Sequence, residues 1–144
     1  ILNPAPAAKL EKEIFPLVDY FTPNETEASF YIDGEINTVD DAKKYAQTIL
    51  DLGVKNVLIT LGEKGAYFFN QVQSHFEPAL DLTNQVVDTS GAGDAFNGAL
   101  ATALCEGRPI VEAIKFANCF AGISTTRIGT ANSMPTRAEI DKMI

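Results

Sequence analysis

Apolar residues along the chain alternate between spacings typical of helices and runs typical of strands. Between positions 39 and 52 they recur three or four residues apart, as at Ala42, Ala46 and Ile49, which lie on one face of a helix. The run at 56–61 is apolar enough for a strand that is buried on both faces. Because such helices and strands alternate, we expect an α/β fold with a largely parallel sheet.

The same patterns predict the other elements of the fold. Helices are predicted at 7–14, 24–31, 39–52, 93–105, 109–124 and from 136 to the end. Strands are predicted at 18–21, 56–61, 66–69, 72–76 and 85–87, with a turn at 62–65. A chain of 144 residues is of ordinary length for one domain, so we expect one compact unit.

Composition narrows the classes of function. The chain has 11 Lys and Arg against 19 Asp and Glu, a formal net charge of −8. A nucleic-acid-binding protein needs a basic surface for phosphates, so we expect no nucleic-acid partner. With 46% hydrophobic and 21% charged residues, the chain has the composition of a globular protein with a buried core.

Targeting and redox signals favour the cytoplasm. Cys105 and Cys119 both lie in apolar, helical stretches, so we expect reduced packing residues rather than a disulfide. The apolar runs are shorter than the roughly 18 residues of a membrane helix, and no signal-peptide pattern opens the chain. The opening residues Ile1–Pro4 lack a starting Met and resemble the end of a strand, which suggests a fragment that begins within a fold.

The stretch 87–98 carries the strongest chemical pattern. After a strand, Gly91 and Gly93 allow a tight turn into an apolar helix, whose first N–H groups favour an anion such as phosphate. Asp94 in the first turn could accept a proton from a hydroxyl that attacks a phosphoryl group. The same carboxylate could instead only stabilise the helix dipole, so both interpretations stay open.

Two other nucleotide-binding patterns fail on spacing. A dinucleotide-binding fingerprint needs a third glycine where Phe96 stands. A P-loop needs Gly-x-x-x-x-Gly-Lys-Ser/Thr, which does not occur. Any ATP must therefore be bound in another way.

The segment 88–98, Asp-Thr-Ser-Gly-Ala-Gly-Asp-Ala-Phe-Asn-Gly, resembles the motif of the ribokinase-like (phosphofructokinase B) sugar kinases. Similar segments keep the order of that family at 3–7, 22–28, 60–65, 126–130 and 133–135. The residues at 3–7 and 22–28 are most similar to those of the ribokinase branch of the family. The resemblance covers the whole chain and implies a three-layer ribokinase-like α/β fold that is truncated at the N-terminus. It makes residues 1–144 the C-terminal, ATP-binding half of a kinase domain.

The resemblance implies an ATP-dependent kinase that phosphorylates the primary hydroxyl of a small sugar. The first choice of sugar is D-ribose, which would become D-ribose 5-phosphate. A fructokinase or nucleoside kinase of the same family, or a non-catalytic nucleotide-binding fragment, is the alternative. The family's sugar-binding motif and lid have no counterpart here, so we expect the isolated chain to be a poor catalyst. The full-length protein is expected to be a homodimer.

Catalytic roles follow residue by residue from the resemblance. Asp94 is the base and touches the sugar, and the backbone of Gly91, Ala92 and Gly93 forms an anion hole. Asn24 and Glu27 serve phosphate and Mg²⁺, Glu27 through water. From the residues alone, Asn24 and Glu27 form the pattern of a helix capping box, and that alternative stays open.

The resemblance also assigns ATP-binding residues. The segment at 60–65 is a nucleotide loop, although a hairpin turn would explain it equally well. Asn118 lies at the adenine site, although an asparagine that only packs between helices is the competing explanation. The complete ATP set is Asn24, Glu27, Thr60, Leu61, Gly62, Glu63, Lys64, Gly65, Gly93, Asp94 and Asn118.

A monovalent cation, K⁺, is the third ligand that the resemblance implies. Its oxygen ligands would come from Asp88, Ser90, Ser124, Arg127, Gly129 and Ser133. Arg127 and Gly129 would contribute backbone carbonyls, which leave no trace in a sequence. Asp88 on its own could equally be a turn carboxylate.

Overall fold

The computed structural model describes residues 1–82 and 84–143 and has an α/β order of elements. The strands are β1 Tyr20–Phe21, β2 Asn56–Thr60, β3 Gly65–Phe69 and β4 Ser74–Pro78. The helices are α1 Glu25–Phe30, α2 Val39–Leu50, α3 Ala92–Cys105, α4 Ile110–Ser124 and α5 Arg137–Ile140, with short 3-10 helices at Lys12–Leu17, Gly62–Lys64 and Ala131–Ser133. Contacts divide the chain into two compact units, Ile1–Phe76 and Glu77–Ile144, where length alone predicted one.

The sheet has the strand order β1-β2-β3-β4. β1 and β2 are parallel, with Tyr20 opposite Asn56, whereas β2 and β3 are antiparallel, with Val57 opposite Phe69. The α/β class is therefore as expected, but the sheet is mixed rather than largely parallel. The cause is the short Gly62–Lys64 connection, because parallel neighbours need a long crossover and antiparallel ones only a turn.

The core of the first unit forms around β2. Leu58 and Ile59 point to opposite faces of the sheet and are both fully buried, as the apolar run predicted. α2 packs on β2 and β3. Phe15, Phe21 and Tyr31 add an edge-to-face aromatic group, with ring centroids 5.3 to 6.0 Å apart.

The second unit is built on the packing of α3 against α4, to which α5 is added. Small side chains such as Ala99, Ala103 and Ala117 are buried and let helices approach closely. Arg108 and Arg137 lie over the ring of Phe116, with guanidinium carbons 4.7 and 5.3 Å from its centroid.

Three predicted elements differ from the structure. The helix predicted at 7–14 is a 3-10 helix at Lys12–Leu17. The strand predicted at 85–87 is irregular, because the N–H of Val87 donates to the carbonyl of Thr125 rather than to a neighbouring strand. The last helix ends at Ile140, and the predicted end of that helix, Ile144, lies outside the described residues. Within the described ranges, no helix is long and apolar enough to cross a membrane.

Candidate active site

The first group of predicted site residues lies at the carboxyl ends of β1 and β2. Because these strands are parallel, both end at the same edge of the sheet. Asn24, which follows β1, forms a parallel bridge with Thr60 at the end of β2, and the N–H of Thr60 donates to the carbonyl of Pro23 at 3.0 Å. The structure thus brings Asn24 together with the start of the loop at 60–65.

Asn24 and Glu27 form the capping box of α1. Oδ1 of Asn24 accepts from the N–H of Glu27, and Oε2 of Glu27 accepts from the N–H of Asn24, both at 2.9 Å. The structural alternative is therefore realised. Oε1 of Glu27 stays outside these two bonds, so the carboxylate fits a water-mediated contact with a hard cation such as Mg²⁺.

The loop after β2 is a complete turn in itself. The N–H of Leu61 donates to the carbonyl of Gly65 at 2.8 Å, and the N–H of Lys64 donates to the carbonyl of Leu61 at 3.0 Å. Gly62 and Gly65 have φ of +53° and +120°, a region that favours glycine. Leu61 is buried, whereas Glu63 and Lys64 are exposed, so a ligand could reach only part of this loop.

In the second unit, Gly91 is the N-cap residue immediately before α3 and has a left-handed conformation, with φ of +76°. The N–H groups of Gly91 and Gly93 have no acceptor within residues 1–82 and 84–143. The N–H of Ala92, also predicted as a donor to an anion, instead donates to the carbonyl of Thr89 at 3.2 Å. Asp94 lies in the first turn of α3 with an exposed side chain. The N–H of Asp94 likewise has no acceptor among the described residues, so the start of α3 can present three N–H donors and one carboxylate to a ligand.

Asp88 joins the loop before α3 to the loop after α4. Its Oδ1 accepts from the N–H of Ser90 at 2.9 Å, and its Oδ2 accepts from the N–H of Gly129 at 3.0 Å. The bond from Gly129, followed by the bonds from Ser90, lowers the pKa of Asp88, because donors stabilise the ionised carboxylate. Three predicted cation ligands are thus brought together.

The other predicted cation ligands have local partners. The buried hydroxyls of Ser124 and Ser133 donate to the carbonyls of Ala121 at 2.7 Å and Thr130 at 2.6 Å. A hydroxyl that donates keeps its lone pairs, so both can still act as oxygen ligands. The whole donor set is oxygen, which suits a hard cation, while the described residues hold no group of three or more His, Cys, Asp or Glu that could bind a metal ion.

Asn118 has a structural role in the second unit. Its Nδ2 donates to the carbonyls of Glu77 at 3.0 Å and Pro78 at 3.3 Å. The side chain thus has structural partners, although they lie at the end of β4 rather than on a neighbouring helix.

Sequence reasoning missed three residues that organise these loops. The carbonyl of Thr125 accepts the N–H groups of Val87 and Asp88 at 2.8 and 3.1 Å. The methyl of Thr130 lies beside Gly91, and Glu139 pairs with Arg127. The Thr-x-x-Glu capping pattern could have located Glu139, but backbone carbonyls and tertiary contacts carry no such signal.

Residues 1–137 match the pfkB family of carbohydrate kinases. The chain belongs to this family. A ribokinase of Haemophilus influenzae is 42% identical over 96% of the chain, and a deoxyribokinase of Salmonella typhi is 36% identical over 100% of it. The chain spans 45% and 47% of the lengths of these two relatives.

The fold of this pfkB family member matches part of the fold of solved ribokinases. The ribokinase of Arabidopsis thaliana, solved with ribose and ATP, superposes with a TM-score of 0.86 at 34% identity. The match covers 92% of this chain and 43% of that one. The family resemblance and the ribokinase-like fold expected from the sequence are thus confirmed.

Proposed function

We propose that the chain is the C-terminal, ATP-binding part of an ATP-dependent sugar kinase that converts D-ribose to D-ribose 5-phosphate. The observation that carries the proposal is the start of α3, where the Gly91 and Gly93 N–H groups and the exposed Asp94 carboxylate stand together. The relatives named ribokinase support ribose as the acceptor. The chain covers less than half of those relatives, so the complete activity is a proposal.

Asp94 would accept the proton of the sugar's primary hydroxyl as the hydroxyl oxygen bonds to the γ-phosphorus of ATP. The bond from the γ-phosphorus to the β,γ-bridging oxygen would break, and ADP would leave with that oxygen. The N–H groups of Gly91 and Gly93 would stabilise the charge of the transferring phosphoryl group. The Ala92 N–H would contribute only if its bond to Thr89 opened. Positioning and fixed donors matter most in such a transfer.

Cations would assist at two places. Mg²⁺, bound with ATP, would neutralise phosphate charge, and Glu27 would hold it through water from its fixed place in the α1 cap. K⁺ would be held by Asp88, Ser90, Ser124 and Ser133 with the carbonyls of Arg127 and Gly129. A cytoplasmic location and a homodimer of the whole enzyme remain predictions.

A second acceptor, 2-deoxyribose, is favoured by one observation, the 36% identity to the Salmonella typhi deoxyribokinase. Fructose and nucleosides are the other acceptors that the sequence left open. Turnover should be measured with all four acceptors in a protein that joins this chain to the remainder that its relatives carry. A preference for ribose supports the proposal, and a preference for another acceptor replaces it.

The role of Asp94 is tested by Asp94→Asn in that joined protein. If Asp94 is the base, turnover falls by about a hundredfold to ten-thousandfold. The matched control is Glu112→Gln, because Glu112 is also an exposed carboxylate in the first turn of a helix, α4, with no side-chain partner among the described residues. If Asp94 only stabilises the helix dipole, both variants lose about 0.3–1 kcal/mol of stability and keep their turnover.

Nucleotide binding by the chain itself is tested by calorimetric titration with ATP and Mg²⁺, in K⁺ and again in Na⁺. Binding that weakens in Na⁺ supports both the ATP and the K⁺ assignments. No binding in either salt contradicts nucleotide binding by the isolated chain. Efficient sugar phosphorylation by the chain alone would contradict the expectation that the remainder is needed.

A further inference from the structure

Arg127 and Glu139 link the last helix to a loop of the candidate site. Arg127 follows α4 in the loop that continues to Gly129, and its guanidinium Nη2 pairs with Oε1 of Glu139 in α5. Both side chains are little more than a third exposed. The guanidinium of Arg127 therefore contacts α5. The family resemblance assigns a role only to the backbone carbonyl of Arg127, so it does not explain this side-chain pair.

Glu139 is a fixed partner for Arg127. Its other oxygen, Oε2, accepts from the N–H of Thr136 at 2.7 Å and from the hydroxyl of Thr136 at 2.9 Å. A carboxylate held by a helix cap has already lost much of its rotational freedom. Pairing with Arg127 therefore costs less conformational entropy than pairing between two free side chains.

The loop that Arg127 anchors touches the loop before α3 at two points. The N–H of Gly129 donates to Oδ2 of Asp88 at 3.0 Å. The Cβ of Thr130 would lie 3.2 Å, and its methyl 3.1 Å, from a Cβ built on Gly91. A shift of the 127–130 segment would therefore lengthen or break the bond to Asp88 and change the space beside Gly91.

We propose that Glu139 is a positioning residue, which holds the Arg127 side chain and through it fixes the 127–130 segment against Asp88 and Gly91. This inference rests on the proposed function, because the position of the 127–130 segment matters for ligand binding only if Asp88 and Gly91 belong to the proposed site. Glu139 would touch neither nucleotide nor sugar, and its effect would pass through the loop alone.

The test uses the 144-residue chain with Glu139→Gln, Arg127→Gln and the double variant. The first readout is hydrogen exchange of the Gly129 amide, which reports directly on its bond to Asp88. The second is the ATP dissociation constant from calorimetry. We expect each single variant to speed Gly129 exchange and weaken ATP binding by about fivefold or more, the lower end of typical coupling between sites. The double variant should be no worse than either single one, because one interaction is lost in all three.

Asp141→Asn is the matched control, because Asp141 follows α5 and pairs with Arg137 rather than with the loop. It should leave both readouts at wild-type values. Arg127→Gln leaves the α5 cap intact, so the test remains available if Glu139→Gln unfolds that helix.

Wild-type exchange at Gly129 in both single variants would overturn the inference, even if the melting temperature fell. Equal effects of Asp141→Asn would overturn it too, since α5 as a whole would then be responsible. Faster Gly129 exchange in the two variants, with no ATP binding by any form, would support the positioning role and contradict nucleotide binding by the chain.

Discussion

Replacing Gly91 by Ala perturbs the start of α3 at its most constrained residue. Gly91 has φ of +76°, where a side chain is strained. A Cβ at this position would lie 3.1 Å from Cγ2 and 3.2 Å from Cβ of Thr130, closer than ordinary van der Waals contact. Gly93, two residues later, offers the opposite case, because nothing lies within 4 Å of the Cβ built on it.

The expected magnitude follows from three contributions. The left-handed conformation costs a non-glycine residue about 1–2 kcal/mol. Crowding against Thr130 adds on the order of 1 kcal/mol, at the low end for overpacking. The reduced freedom of the unfolded chain returns about 0.4–1 kcal/mol. Gly91→Ala should thus lower the free energy of unfolding by about 2 kcal/mol, whereas Gly93→Ala in α3 should raise it by about 0.5 kcal/mol.

Urea unfolding of the two variants and the wild type measures this difference, with unchanged m-values as the condition for comparison. Adding Thr130→Ser to Gly91→Ala removes the methyl at 3.1 Å and should restore part of the loss. Equal stability of the Gly91 and Gly93 variants would refute the reasoning. A loss at Gly91 that Thr130→Ser does not reduce would refute the crowding contribution alone.

Three further predictions concern the second unit. The hydrogen bond from the N–H of Thr136, followed by the pair with Arg127, lowers the pKa of Glu139 to about 2. The ionised Glu139 therefore stabilises the fold fully above its unfolded-state pKa of about 4.3, and this stabilisation is lost as the pH falls towards about 2. In Glu139→Gln, the free energy of unfolding measured with urea should therefore fall less steeply between pH of about 4.3 and about 2 than in the wild type. An unchanged slope would contradict the role of the Glu139 carboxylate. Asn118→Leu should cost about 0.5–1.5 kcal/mol in urea unfolding, because the part-buried carbonyl of Glu77 loses its donor while the exposed carbonyl of Pro78 can bond to water; wild-type stability would count against it. A thiol reagent should modify exposed Cys105 well before Cys119, whose pKa is raised by burial, and equal labelling rates by mass spectrometry would disprove this.

Local patterns predicted the elements that depend on local interactions. α2 and β2 occur where periodicity placed them, and the Asn24–Glu27 cap formed as its spacing indicated. The strand predicted at 85–87 does not form. Its apolar residues have the composition of a strand, but the N–H of Val87 bonds to the carbonyl of Thr125, a distant partner that the local sequence could not reveal. The antiparallel β2–β3 pair agrees with the hairpin turn that the sequence allowed at 60–65, whereas the apolar runs themselves carry no strand direction.

The candidate site shows the same division. Glycines and carboxylates near α3 could be found from the sequence because their chemistry resides in their side chains or in a required φ. The bond from Gly129 to Asp88 and the carbonyl of Thr125 could not, since backbone groups are common to every residue. The family resemblance supplied candidates there, but no geometry.

Structural and functional explanations compete differently at three carboxylates that the sequence proposed as site residues, one in the first unit and two in the second. Glu27 and Asp88 each accept backbone N–H bonds, so the fold alone accounts for them, and any ligand role uses the lone pairs that remain. The side chain of Asp94 has no hydrogen bond or ion pair to the residues that the structure describes, and it is exposed at the start of α3. Only the helix dipole supports it, and that contribution is small at an exposed position. The carboxylate with the least structural role is therefore the one whose side chain stays available for the role of general base that we propose for it.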